Sequence, residues 1–105
     1  MLFVQDLVEL FESELDNAEK LAGNAFNVGG GPDKTLSLME LLGMLEKRYG
    51  VIETEVCGWR PADQKVYYSD IRKAARVVGW RPKTTPNEGV KSLCDWVDQN
   101  MSEIR

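Results

Sequence analysis

Residues 57–82 read Cys57-Gly58-Trp59-Arg60-Pro61-Ala62-Asp63-Gln64-Lys65-Val66-Tyr67-Tyr68-Ser69-Asp70-Ile71-Arg72-Lys73-Ala74-Ala75-Arg76-Val77-Val78-Gly79-Trp80-Arg81-Pro82. Pro61 presets its own backbone angle and Asp63 can bond back to the chain, so Arg60-Pro61-Ala62-Asp63 reads as a turn. Lys65 to Ser69 is rich in strand-favouring side chains and reads as extended. Asp70 is placed to cap a short helix running through Val78, which Gly79 closes.

Working outward, the flanks supply further elements. Leu7, Val8, Leu10, Phe11 and Leu15, followed by Leu21, recur at helical spacing with Glu9, Glu12 and Glu14 between them, which predicts an amphipathic helix over about residues 6–20. Gly23 stops it. Ala25-Phe26-Asn27-Val28 reads as a brief buried strand ending in the turn cluster Gly29-Gly30-Gly31-Pro32. Ser37 and Glu40 have the spacing of a capping box, and the helix behind them directs Leu38, Leu41, Leu42 and Leu45 to a core before ending at Tyr49-Gly50. Val51 to Val56 reads as a strand. Thr85-Pro86-Asn87-Glu88 combines a capping Thr, a first-turn Pro and a Glu three residues on, and starts a last helix through about Met101. The expectation is a small single α/β domain, residues 1–105, of alternating helices and short strands.

Composition narrows the function. The 105 residues are 43% hydrophobic and 29% charged, which is ordinary for a globular chain. A net charge of −4, with 13 Lys and Arg and no basic run, argues against nucleic acid and against an anionic membrane surface. There is no histidine, and the two cysteines, Cys57 and Cys94, are far apart, so Cys/His metal spacings and His-based triads are excluded. No signal-like or membrane-spanning run occurs, and a cytoplasmic location is expected. Glu9, Glu12, Glu14 and Asp16 read as a solvated helix face. Trp59, Trp80 and Trp96 read as packing residues, with Trp59 open to a second role over a nucleotide or at an interface.

Several motifs, in order, resemble one family. Residues 57–82 are similar to the segment R-P-G-D-Q-R-x-Y-x-S-D-x-x-K-A followed by L-G-W-x-P in the C-terminal substrate domain of extended short-chain dehydrogenase/reductase nucleotide-sugar epimerases. Leu2 to Val8 resembles the family's R-D-x-x-H-V-D-D-L-V entry, and Ala25 to Gly31 its V-F-N-V-G-G-G strand and turn. The wording is most similar to the CDP-tyvelose epimerase branch. No Rossmann half accompanies these motifs, so the resemblance is to the substrate-gripping part without the catalytic half.

What the resemblance implies is residue-specific. Arg60 matches the Arg that contacts the diphosphate of a nucleotide sugar, a role suited to a guanidinium, which forks onto phosphate oxygens and stays charged. Asp63 matches the acid that accepts from ribose hydroxyls. The bland reading of the same four residues is an exposed turn. Ala62 stands where the family has Gly, and Phe3 where His is common. The family's NAD-dependent hydride chemistry is not expected of this chain alone: Gly29-Gly30-Gly31 lacks the surroundings of a dinucleotide turn, Tyr68 has Arg72 where the Tyr-x-x-x-Lys pair needs Lys, and no cofactor is expected to be bound. The implied function is nucleotide-sugar binding. The rival is an interaction protein, a homodimer or a chain docking on a Rossmann-domain partner, using apolar surface that includes Phe3, Phe11, Trp59 or Tyr67.

Overall fold

The computed structural model describes residues 1–104. Its helices are α1 (Val4–Asp16), α2 (Ala18–Leu21), α3 (Leu38–Tyr49), α4 (Arg72–Val77) and α5 (Pro86–Gln99), with a single 3-10 turn over Pro32–Lys34. The chain divides into two compact units, one formed by Met1–Thr35 with Tyr68–Arg105 and the other by Leu36–Tyr67.

In the first unit the expected long helix is two. Asn17 leaves helical geometry at φ −117°, and its side-chain amide donates to the Ser13 carbonyl at 2.8 Å, while Ser13 Oγ donates to the Glu9 carbonyl at 2.9 Å. Short polar side chains here compete for backbone partners and break the run. α2 restarts on the Asn17 carbonyl, and Gly23, at φ +76°, ends it as expected. The core is small: Leu10, Ala74 and Trp80 are buried together, with Leu2, Leu7, Phe26, Val28 and Val78 packed around them. Trp80 also donates its indole N–H to the Asp6 carbonyl at 2.9 Å. The glycine cluster at 29–31 is needed for close approach. A Cβ on Gly29 would collide with the Ser69 side chain, one on Gly30 with the Met1 carbonyl, and Gly31 sits at φ +71° against Ile71.

α5 begins with the expected capping box: Thr85 Oγ1 accepts from the Glu88 amide and the Glu88 carboxylate accepts from the Thr85 amide at 2.9 Å. α4 starts one residue later than the sequence suggests, with Ile71 at the N-cap. Asp70 still supplies an acceptor to its first turn, taking the Arg72 amide at 3.0 Å.

In the second unit α3 has the predicted Ser37–Glu40 capping box and stops at Gly50, φ +89°. No residue of 36–67 is fully buried. Leu41, Leu42 and Leu45 are half-buried, and Leu38, expected to face a core, is exposed.

The two expected strands, over residues 25–28 and 51–56, are the correction. No strand occurs among the described residues. A strand exists only as one side of a hydrogen-bonded ladder, and these segments find other partners or none of that kind. The Ala25 carbonyl accepts from Lys73 Nζ at 2.8 Å and the Val28 carbonyl from Ser69 Oγ at 3.3 Å. Val51, Val56, Val66 and Tyr67 are exposed. Residues 51–56 have the β-branched content of a strand, but propensity without a neighbour does not make a sheet.

Candidate functional site

The turn at Arg60 is built by its own four residues. The Asp63 amide donates to the Arg60 carbonyl at 3.2 Å, closing a β-turn with Pro61 and Ala62 in its central positions. Ala62 is the only non-glycine residue with a positive φ among those described, at +65°. Pro first and a positive φ second is the pattern of a type II turn, whose second central position favours glycine. This gives a physical reason for the Gly in the R-P-G-D wording that the sequence resembles, and for the strain expected where Ala replaces it.

The two predicted site residues come together, and they meet each other. Asp63 Oδ2 accepts both the Arg60 amide at 3.2 Å and Arg60 Nε at 3.1 Å. The Arg60 side chain is nevertheless 85% exposed. Exposed ion pairs of this type contribute only about 0–1 kcal/mol, so an incoming anion can compete for the guanidinium. The pair holds Arg60 on the turn and leaves its head in solvent.

Two neighbours complete the segment. Trp59 is exposed, not packed, and Lys65 Nζ lies 5.1 Å from the centre of its ring. A flat aromatic face with a cation over it, beside an exposed guanidinium, is chemistry suited to a phosphorylated, ring-bearing ligand. Lys65 was missed in the sequence reading. The signal that could have found it is its place two residues after Asp63, where the family wording R-P-G-D-Q-R also carries a cation. Of the other tryptophans, Trp80 is buried as expected and Trp96 is exposed.

Two hollows of the first unit suit a nucleotide sugar poorly: one of about 410 Å³, lined by residues 15–20, sets the carboxylates of Asp16 and Glu19 against the single cation of Lys20, which opposes a diphosphate. The other, of about 170 Å³ and lined by Gly30, Asp33, Lys34, Ile71, Arg81 and Pro82, falls below the roughly 300 Å³ at which small-molecule sites begin. The Gly29–Gly31 turn does not fit a dinucleotide either. Its glycines are crowded by Ser69, Met1 and Ile71, and it leads into a 3-10 turn of three residues, not into a helix N-terminus. Among the described residues no group of three or more His, Cys, Asp or Glu could hold a metal ion, and no helix is long and apolar enough to cross a membrane. Cys57 is exposed and Cys94 buried, both as free thiols.

Asp6 is the strongest polar feature outside the turn. It is buried, and its carboxylate accepts from the Thr84 amide at 3.0 Å and from Thr84 Oγ1 at 3.2 Å. It therefore ties α1 to the segment that leads into α5, a fastening role.

Comparison with known proteins agrees with the motifs. Over 98 residues the chain is 37% identical to CDP-paratose 2-epimerase of Salmonella typhi, covering 91% of this chain and 29% of that protein. It is 26% identical to UDP-glucuronate 4-epimerase of Thermodesulfobacterium geofontis, over 92% of this chain and 30% of that protein. It is 31% identical to dTDP-glucose 4,6-dehydratase 1 of Escherichia coli, over 78% of this chain and 25% of that protein. No protein-family model matches the chain. These relatives are nucleotide-sugar epimerases and a dehydratase. The chain corresponds to a segment of the extended short-chain dehydrogenase/reductase type, spanning less than a third of each relative and consistent with a C-terminal fragment of one.

Proposed function

We propose that this chain is a sugar-nucleotide-gripping segment, with Arg60 on the diphosphate, Asp63 turned to the ribose hydroxyls, and no catalysis of its own. The observation that carries the reading is the exposed Arg60 guanidinium, positioned by a closed turn within a stretch similar to epimerases of CDP- and UDP-sugars. Trp59 and Lys65 support it by offering an aromatic face and a second cation on the same segment. The α/β arrangement with strands belongs to this proposal: it describes the segment once ladder partners from elsewhere adjoin it. NAD in this reading is held outside these residues, and the protein is cytoplasmic.

One or two charge-assisted contacts contribute about 1.5–3 kcal/mol each, which sets the affinity of such a half-site near the millimolar range. Isothermal titration with CDP-, UDP- and dTDP-sugars is the test, with Arg60→Ala alongside. Binding that weakens about tenfold or more in the variant is the expected result, because about 1.4 kcal/mol is a factor of ten. Binding unchanged by the substitution, or no heat with any of the three at millimolar concentration, overturns it.

A second reading, docking through apolar surface to another copy or to a Rossmann-type domain, is favoured by the exposure of Phe11, Trp59 and Tyr67. Phe3, grouped with them from sequence, is half-buried.

A further inference from the structure

α1 has two apolar faces. One, centred on Leu10 with Leu7, enters the core of its unit. The other is Val4, Val8, Phe11 and Leu15, which are 66%, 39%, 52% and 77% exposed. Their spacing of 4, 3 and 4 residues is that of a helix–helix seam, and at about 100° per residue all four fall within roughly 60° of arc, its centre about 130° from Leu10 and about 70° from Leu7. A soluble helix normally faces solvent with polar groups on that side. Here four consecutive seam positions are apolar.

The borders of the seam say what kind of surface covers it. Glu12 lies on one side and Glu14 on the other, each about 80° from its centre by the same helical geometry. α1 carries five acidic residues, Asp6, Glu9, Glu12, Glu14 and Asp16, and no basic one. Two copies of α1 laid seam to seam would bring like-charged borders together, which is destabilising. A second copy is therefore the wrong occupant. We infer that the Val4–Val8–Phe11–Leu15 seam is a docking site for an amphipathic helix of a partner protein whose apolar ridge is flanked by lysine and arginine. Leucine-sized side chains on the ridge fill the spaces beside Val8 and Phe11, and the basic flanks meet Glu12 and Glu14 at the rim, where they set orientation and speed of encounter more than affinity. The seam is made by α1 alone and uses no residue of the Arg60 turn.

The test uses the full chain and a labelled synthetic helix of about 18 residues, long enough to hold helical structure, with a leucine seam and lysine flanks; its counterpart has glutamate flanks. Fluorescence anisotropy should show saturable binding of the lysine peptide, weaker at high salt, and none of the glutamate peptide. Phe11→Asp should weaken binding at least tenfold, as expected of a central aromatic anchor, which contributes about 2 kcal/mol or more. Leu93→Asp, at an exposed apolar position on α5, should leave it unchanged. Circular dichroism should show that both variants keep their helices. The inference is overturned if the lysine peptide does not bind, if both variants bind like the wild type, if both weaken equally, or if sedimentation shows a dimer that Phe11→Asp splits, which would make a second copy the occupant.

Discussion

Replacing Asp6 by Ala tests whether the first unit is held by its buried polar clasp or by its small apolar cluster alone. The substitution removes a buried carboxylate and strands the Thr84 amide and hydroxyl, which donate to it at 3.0 and 3.2 Å. Hydrogen bonds to a charged group contribute about 1.5–3 kcal/mol each, and a donor left without a partner costs about 1–3 kcal/mol. Thr84 is only half-buried, so water can take over part of its bonding. The desolvation already borne by the carboxylate lowers the net further. A loss of about 2–3 kcal/mol remains. For a chain of this size the urea dependence is about 1–1.5 kcal/mol per molar, so the unfolding midpoint should fall by roughly 2 M. Tryptophan fluorescence is the assay, because Trp80 lies in the core and bonds to the Asp6 carbonyl. Asp6→Asn keeps one acceptor and the shape, and should fall about half as far. A midpoint shift below about 0.5 M for Asp6→Ala, at unchanged slope, refutes the clasp.

Two further outcomes follow from local geometry and charge. Ala62→Gly should strengthen the Arg60 turn by about 0.5–1 kcal/mol, the relief of a left-handed Ala less the larger backbone entropy of Gly; slower hydrogen exchange at the Asp63 amide reports it, and faster exchange contradicts it. Acid should destabilise the chain, because the Asp70 carboxyl is held down to about 2 by hydrogen bonds from the Arg72 side chain and amide, and those of Glu40 and Glu88 are lowered by their bonds to Ser37 and Thr85. Groups with depressed folded values contribute stability that is present above their ordinary values of 3.8 and 4.5 and is lost as pH falls through the folded ones. Thermal midpoints should therefore be flat above about pH 5 and decline toward about pH 2, and a midpoint that rises between pH 5 and pH 3 contradicts the assignment.

What could be read from the chain in advance was what neighbouring residues settle among themselves. Ser37 with Glu40 and Thr85 with Glu88 need only three residues of separation, and both capping boxes formed. Gly23, Gly50 and Gly79 stop or follow helices at positive φ for the same local reason. Arg60 and Asp63 were legible as a turn and as a resemblance to a ligand site, and the turn closes on itself. What was not legible depends on distance in sequence. Asp6 meets Thr84 across 78 residues and the Trp80 indole across 74, and no local pattern marks them. The Asn17 break depends on which carbonyl a short amide finds. The strands failed for a different reason: Val51 to Val56 has the side chains of a strand, but no second strand pairs with it among the described residues.

Those unmet demands fall in the same places as the candidate binding surfaces. The unit 36–67 holds the Arg60 turn but buries no residue fully, and its half-buried leucines and exposed valines leave apolar side chains open to solvent. α1 repeats this with a second apolar seam. The Arg60 turn, in contrast, needs nothing outside its own four residues and two hydrogen-bonding atoms of Asp63. Recognition of a phosphate by such a turn can therefore persist when the surrounding surface is bare, at the low affinity of a single guanidinium. Tight binding and a catalysed reaction require the enclosing walls that exclude water and strengthen each charge contact. The relatives are more than three times as long as the stretch they share with this chain, and have room for such walls. This separates the two proposals by experiment. Nucleotide affinity should track Arg60 and ignore Phe11, whereas helix capture should track Phe11 and ignore Arg60.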